Sequence, residues 1–149
     1  MADETDELEP ALAFLRELWA LNHALESTSR RMHDAMGITA QQRMLLRFVG
    51  KFPEQTASAL AALLHIEKST LSQSLKKLEA RDLVATTRDA NDARRTRVVL
   101  TARGKRFDRP QIGTVERAVA RTLGATASRD RTAVRRFLQR LVASLEDGR

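Results

Sequence analysis

The chain has 149 residues and a formal net charge of +7, which is enough for one ordinary domain but not for two independent cores. It contains no cysteine, which excludes disulfides, thiolate zinc sites and cysteine-based redox sensing. The three histidines, His23, His33 and His65, lack the spacing of a metal site, so we expect no metal and no cofactor.

The first nine residues carry five acids and no base, so the rest of the chain is strongly basic. A basic body suggests a polyanionic partner, nucleic acid before membrane. The N-terminus has no apolar leader and no stretch is long enough to span a membrane, which predicts a cytoplasmic protein. Residues 1–7 are expected to form a disordered acidic tail, and residues 8–149 a single domain.

The first predicted element is a long amphipathic helix that runs to Gly37, about seven turns in all. Such a helix is too long to pack only on a small core, so we expect residues 8–36 to help build a dimer interface. A second helix should follow Thr39, an N-cap with Gln42 as its capping-box partner, and end at Gly50. Its predicted apolar face consists of Met44, Leu45, Phe48 and Val49.

Two short helices separated by a tight break come next and predict a helix-turn-helix. The first begins at about Thr56, and the second runs from Lys68 to Arg81 after a break at His65 and Ile66. The predicted inward face of the first contains Ala57, Leu60, Leu63 and Leu64.

On a helical wheel, Leu71, Leu75 and Leu78 of the second of these helices share one side, which should face the core. The opposite side carries hydroxyls, an amide and ammonium groups, which suit contacts in a DNA major groove. The DNA-contacting residues predicted here are Lys68, Ser69, Thr70, Ser72, Gln73, Lys76 and Lys77. A solvated helix face without a ligand has a similar composition, so the helix alone leaves both interpretations open.

Two strands, 83–87 and 96–101, flank the loop 89–92 and predict a β-hairpin. Because two strands alone are marginally stable, they should lean on the helices as a wing. Arginines at such a tip suit a narrow minor groove, although a charged hairpin in solvent is the alternative. The arginines predicted to contact DNA are Arg88, Arg94, Arg95 and Arg97. Asp89 and Asp92 would repel DNA, so we expect them to hold arginines in position or to brace the turn.

Residues from about 102 to 123 look helical, with interruptions at Pro110 and Gly113. Ser128 can cap a final helix, which has the cleanest amphipathic pattern in the chain. A second copy of the chain should cover this apolar stripe, and the alternative is intrachain packing of the first and last helices. The predicted dimerisation residues, within 8–36 and 105–146, are Leu12, Leu15, Val134, Phe137, Leu138, Leu141, Val142 and Leu145.

The stretch 38–104 resembles the winged helix-turn-helix of the multiple antibiotic resistance regulator (MarR) family. The similarity is carried by the segments LAALL at 60–64, KSTLS at 68–72, LEARDLV at 78–84, DANDARR at 89–95 and VVLTARG at 98–104. The order of the flanking helices matches as well, so the resemblance covers nearly the whole chain.

The resemblance implies a mainly α fold with a small hairpin wing, and a sequence-specific transcription regulator, usually a repressor relieved by a small ligand. It implies a homodimer with intertwined terminal helices on a pseudo-palindromic double-stranded DNA site. Arg94 is carried over as the wing-tip minor-groove residue, and Asp92 as its positioning partner. Relatives often bind a small aromatic or anionic ligand, for which Trp19 and His23 are the candidates here; a core or surface role for both is the alternative.

Four positions depart from the family pattern. His65 and Asp82 stand where the family usually has glycine, and both are expected to adopt left-handed backbone geometry. Glu67 replaces the usual Ser or Thr cap, and Ala90 replaces a common proline.

Competing functions find less support in the sequence. There is no glycine-rich phosphate loop, nucleophile elbow or recognisable pair of catalytic residues, so we expect no enzymatic activity. RNA readers usually display stacking aromatics, and this chain has no Tyr and one Trp. The main alternative is an architectural nucleic-acid-binding protein without sequence specificity.

Overall fold

The computed structural model describes the backbone of residues 3–148 and the side chains of residues 9–148. The elements in chain order are α1 (Asp3–Met36), α2 (Ala40–Lys51), α3 (Ala57–Leu64), α4 (Lys68–Ala80), β1 (Val84–Arg88), β2 (Thr96–Leu100), α5 (Ala102–Phe107), α6 (Val115–Gly124) and α7 (Ser128–Asp147). They form two compact units, Met1–Thr114 and Val115–Arg149. The predicted fold class, mainly helical with a small β-hairpin, is confirmed.

The helix α1 begins at Asp3, inside the segment 1–7 that was expected to be a disordered acidic tail. Residues 3–7 lie within that helix, and residues 1–2 lie outside the described part of the chain. Carboxylates near the start of a helix interact favourably with the helix dipole, so an acidic composition does not exclude a helical start. Residues 9–31 of α1 are half-buried or exposed, whereas Met32 is buried.

The helix α2 begins with the predicted capping box. Thr39 Oγ1 accepts a hydrogen bond from the backbone N–H of Gln42, and the Gln42 side chain accepts one from the backbone N–H of Thr39. The helix continues one residue past the predicted end at Gly50, to Lys51. Met44, predicted to face inward, is 40 % exposed, while Arg43 is fully buried.

The helices α3 and α4 form the predicted helix-turn-helix. Thr56 caps α3, and His65 ends it in the left-handed region with φ 51° and ψ 44°, as its place in the turn predicted. Within α3, Leu60 and Leu64 are buried, but Leu63 was wrongly assigned to the core and is 46 % exposed. An eight-residue helix covers the core with one face, and Leu63 lies on the flank of that face.

The strands β1 and β2 pair in antiparallel register, with Val84 opposite Leu100 and Arg88 opposite Thr96. Asp82, with φ 56°, turns the chain from α4 into β1, which confirms its expected left-handed geometry. The buried residues Val84 and Val98 join the hairpin to the core of the Met1–Thr114 unit. The hydrophobic members of that core are Ile38, Leu45, Leu46, Val49, Leu60, Ala61, Leu64, Leu71, Leu75, Leu78, Leu83, Val84 and Val98.

The region predicted to be helical from about 102 to 123 is divided into α5 and α6 by residues 108–114, which include Pro110 and Gly113. Ser128 is the first residue of α7, not its cap, because Ala127 occupies the N-cap position without a side-chain bond. Neither α6 nor α7 contains a buried residue in the described chain. None of the helices among the described residues combines the length and apolar character needed to cross a membrane.

Gly104 provides a test of the packing between α5 and the wing. A Cβ added at Gly104 would lie 1.9 Å from the backbone oxygen of Leu83. We expect Gly104→Ala to lower the free energy of unfolding by about 1–3 kcal/mol, because the backbone must shift to relieve the overlap. The matched control is Gly124→Ala, whose added methyl group would have no atom within 4 Å.

The measurement is urea unfolding of both variants followed by circular dichroism. Gly124→Ala should be neutral or stabilising by up to about 1 kcal/mol, since alanine favours helix over glycine. Equal stability of Gly104→Ala and the wild-type chain would contradict the close approach of α5 to the wing.

Candidate nucleic-acid interface

The outer face of α4 is polar and accessible. Leu71, Leu75 and Leu78 are buried, as the helical wheel predicted. The residues on the opposite side that are exposed are Lys68, Ser69, Ser72, Gln73, Lys76 and Lys77, with Thr70 half-buried beside them. The first turn of α4 contains no acidic residue and begins with Lys68, and among the described residues the only carboxylate at this end of the helix is that of Glu67 at the N-cap.

Glu67 occupies the N-cap position of α4 but makes no side-chain cap hydrogen bond. A carboxylate next to a helix N-terminus still interacts favourably with the helix dipole. The absence of a cap bond leaves α4 held mainly by the burial of its leucine stripe.

The wing is anchored by an ion pair between Asp89 and Arg97. The Nε and Nη2 atoms of Arg97 each lie 3.0 Å from Asp89 Oδ2, and the Asp89 side chain is only 7 % exposed. Arg97 Nη1 also donates to the backbone oxygen of Glu54 at 3.1 Å, in the loop between α2 and α3. Arg97 was predicted to contact DNA, but the structure directs its guanidinium towards Asp89 and the α2–α3 loop, where it braces the wing.

The pKa of Asp89 is lowered from its ordinary value of 3.8. The largest cause is the backbone N–H of Asn91, which donates to Asp89 Oδ1 at 2.9 Å. The hydrogen bond and charge of Arg97 act in the same direction, while burial acts in the opposite one. Asp89 is therefore a carboxylate at neutral pH and can pair with Arg97.

The aspartate at the wing tip supports the turn through the backbone. Asp92 Oδ1 accepts a hydrogen bond from the backbone N–H of Arg94 at 3.0 Å, and Asp92 Oδ2 lies 3.7 Å from Arg95 Nε. The resemblance implied that Asp92 positions the Arg94 side chain; the contact is instead with the Arg94 backbone. Within the described chain, the guanidinium groups of Arg88 and Arg94 have no hydrogen-bond or ion-pair partner and are exposed.

A single hydrogen bond ties the wing to the polar face of α4. Thr86 Oγ1 on β1 donates to Glu79 Oε1 on α4 at 2.5 Å. Beside this bond lies a groove of about 370 Å³ whose polar lining includes Lys68, Ser72, Lys76, Glu79, Thr86 and Thr96. The two surfaces predicted separately, the α4 face and the wing, therefore adjoin. The sequence reasoning missed the Glu79–Thr86 link, since seven residues and a turn separate the pair.

A second connection that the sequence reasoning missed joins α2 to the segment after α5. The buried Arg43 donates to the backbone oxygens of Phe107 and Arg109, each at 2.6 Å. Arg47 donates to Asp108 Oδ1 at 2.7 Å. An arginine inside an apolar helix face was the available signal, because such a residue needs buried acceptors.

The predicted dimerisation residues are accessible in each unit. On α1, Leu12 is 56 % exposed and Leu15 is 37 % exposed. On α7, Val134, Phe137, Leu138, Val142 and Leu145 are exposed and Leu141 is half-buried. Trp19, a predicted ligand residue, is 65 % exposed, and His23 is exposed on the same helix. Neither the α4 groove nor the smaller cavity at Arg47 and Asp108 is lined by Trp19 or His23.

The MarR family model matches residues 36–95, which contain α2, α3, α4, β1 and the tip of the wing. Over this stretch, which is 60 of the 149 residues, the chain is similar to the MarR family. The match includes the helix-turn-helix and wing-tip segments on which the resemblance was based. Members of the MarR family are generally not enzymes. No curated protein sequence matches the chain significantly.

Solved structures of MarR-type regulators share the fold. The S. aureus MepR protein in a DNA complex is 18 % identical, with a TM-score of 0.73 over 89 % of this chain and 97 % of that chain. FabT of Streptococcus pneumoniae, in complex with DNA, is 19 % identical. Its TM-score is 0.67, and the match covers 95 % of this chain and 99 % of FabT. The MarR family transcription regulator SP03579 is 25 % identical. Its TM-score is 0.67, and the match covers 99 % of this chain and 95 % of SP03579.

The wing anchor leads to a prediction about pH and local stability. Asp89→Asn removes the charge that pairs with Arg97, so amide protons of residues 89–97 should exchange several times faster at neutral pH in hydrogen–deuterium exchange. The control Asp92→Asn should change exchange less, because its ion pair with Arg95 is exposed and exposed pairs contribute little.

The pH dependence follows from the lowered pKa of Asp89. A carboxyl group with a lowered pKa in the folded state stabilises that state above its ordinary pKa of 3.8, and this contribution is lost as the pH falls through the folded value. The difference between the wild-type chain and Asp89→Asn should therefore shrink below pH 3.8. A difference that is constant with pH, or absent throughout, would contradict the assigned anchor.

Proposed function

We propose that this chain is a sequence-specific double-stranded DNA-binding transcription regulator that acts as a homodimer. In this proposal α4 enters the major groove and the wing arginines reach a neighbouring minor groove. The single observation that carries it is that the exposed polar face of α4, with its three lysines, adjoins the arginine-bearing wing, to which it is linked by the hydrogen bond between Glu79 and Thr86.

The residues take different roles in the proposal. Gln73 and the hydroxyl groups of α4 address base edges, while the lysines of α4 meet phosphates or guanine. Arg94 and Arg88 are the wing residues best suited to the minor groove, because their guanidinium groups are exposed and have no partner among the described residues. Asp89, Asp92 and Arg97 hold the wing in shape, and Arg95 adds positive charge at the tip.

DNA complexes of similar proteins support the proposal. MepR and FabT share this fold over most of both chains, and each was solved with DNA. An exposed surface with several ammonium and guanidinium groups matches the charge that a phosphate backbone requires.

The proposed partner for the apolar helices is a second copy of the chain. The unit Val115–Arg149 has no buried residue in its described helices, although α7 carries a long apolar stripe. Isolated helices with no buried face are marginal in water, so this unit needs a surface to pack against. A two-fold dimer would cover such a stripe with an identical one and would match the two-fold symmetry of a pseudo-palindromic operator.

We also propose that the protein acts as a repressor in the cytoplasm and has no enzymatic activity, in line with the usual mode of the MarR family. Relief of repression by a small aromatic or anionic ligand at Trp19 and His23 remains a prediction. In a single copy of the chain Trp19 is 65 % exposed.

The function is tested by isolating genomic fragments that the protein retains and measuring their binding in competition with random DNA at fixed salt. A specific regulator should prefer the retained fragment by at least about a thousandfold. Equal affinity for both DNAs would overturn the regulator proposal and favour an architectural nucleic-acid-binding protein.

Arg94→Ala tests the proposed minor-groove contact. Loss of this guanidinium should weaken binding to the retained fragment by roughly tenfold or more, since one charge-assisted contact is lost. The matched control is Arg16→Ala on α1, which removes the same charge from a side chain that is 81 % exposed and paired with Glu17. Fluorescence anisotropy measures both affinities, and equal effects of the two substitutions would argue against a specific role for Arg94.

Leu138→Glu tests the proposed dimer. A carboxylate in the apolar stripe of α7 should disfavour association, so light scattering should report a mass near that of one 16.7 kDa chain in place of a dimer. The control Ala143→Glu places the same charge on the opposite side of α7 and should leave the dimer intact. A stable, folded Leu138→Glu dimer would refute this interface.

A further inference from the structure

Arg81 connects two helices that are distant in sequence. Its backbone forms the C-cap of α4, and its side chain reaches the C-terminal end of α1. Arg81 Nη1 donates to the backbone oxygen of Gly37 and Nη2 to that of Met36, each at 2.9 Å. One residue therefore ends α4 with its backbone and binds the last carbonyl groups of α1 with its side chain.

The electrostatics of this contact are favourable. The last carbonyl groups of a helix have no intrahelical partner and carry the negative end of the helix dipole. The Arg81 guanidinium supplies a positive charge there, and no carboxylate pairs with it among the described residues. Its Nε atom is buried and has no hydrogen-bond partner in the same part of the chain, so this edge of the guanidinium is enclosed by protein.

Gly37 is matched to Arg81 in two ways. Its φ of +74° favours glycine, and a Cβ added there would lie 1.8 Å from Arg81 Nη1. A larger residue would therefore displace the guanidinium even if the backbone accommodated it. The neighbouring residues Met32 and Ile38 are each 1 % exposed, so the end of α1 is buried within the Met1–Thr114 unit, which also contains α4.

We infer that Arg81 is a positioning residue that fixes α4 against the end of α1 and thereby sets the separation of the two DNA half-sites that a dimer can read. The inference rests on the proposed function. If α1 contributes to the dimer, the position of each α4 relative to the two-fold axis depends on the joint between α1 and α4. A joint made of two directed hydrogen bonds holds that angle more narrowly than apolar packing alone.

The competing explanation is that Arg81 contacts a DNA phosphate directly, because it lies at the end of α4. The geometry opposes this, since both Nη atoms already donate to carbonyl groups and Nε is buried. The two explanations also differ in their salt dependence. Loss of a phosphate contact lowers the slope of log affinity against log salt by about one, whereas loss of a positioning residue leaves it unchanged.

The experiment compares the full-length wild-type chain with Arg81→Gln on three DNA probes. The probes are a genomic fragment retained by the protein and two versions with the half-site spacing changed by one base pair. A change of one base pair rotates one half-site by about 35° around the DNA axis. The wild-type chain should bind the altered probes roughly tenfold more weakly or worse, as for a mismatched base pair.

Arg81→Gln should reduce this spacing penalty to about threefold or less, with an unchanged salt slope. Arg103→Gln is the control, because it removes an exposed arginine on α5 and should keep the full penalty. Circular dichroism verifies folding; if Arg81→Gln does not fold, Arg81→Lys carries the test, since an ammonium group keeps the charge but cannot bind both carbonyl groups in the same planar geometry.

Retention of the wild-type spacing penalty by the folded variant would overturn the inference. A lowered salt slope would do so as well, in favour of a phosphate contact, and so would a wild-type chain that binds all three spacings equally. Failure of the proposed function looks different, because the wild-type chain would then bind the retained fragment no better than random DNA.

Discussion

The burial of one leucine stripe determines the arrangement of the whole candidate interface. Leu71, Leu75 and Leu78 pack into the core with residues from α2 and α3, and each buried leucine contributes about 1.5–3 kcal/mol relative to an exposed one. Since α4 has no side-chain cap at Glu67, this burial is its main source of support. It leaves one face of α4 in solvent, and that face carries the lysines, hydroxyl groups and Gln73.

The wing combines two kinds of interaction, because Val84 and Val98 anchor its base by burial while charged groups hold its tip. Its four arginines would repel one another in a free hairpin, and the structure divides them into separate tasks. Arg97 is neutralised by the enclosed Asp89 and secures the wing to the α2–α3 loop, while Arg88 and Arg94 keep their charge available at the surface. The aspartates thus reduce the net charge of the wing while they hold its remaining positive groups in place.

Much of the fold could be predicted because its signals are local. The capping box at Thr39, the left-handed turn residues His65 and Asp82, and the hairpin each depend on neighbouring residues. It was harder to predict which helix residues face the core. Leu63 is an example, because its short helix carries more leucines than the core can accept.

The sequence by itself determined the winged helix-turn-helix, the polar face of α4 and the basic character of the hairpin, because helical periodicity and strand pairing act over short distances along the chain. Only the tertiary structure decided which charged groups are free to meet a ligand. The roles of Arg97 and Arg81 depend on acceptors at Glu54, Met36 and Gly37, which are 43 to 45 residues away. No periodic pattern encodes such pairs, since a long side chain can find its acceptor only after the chain has folded.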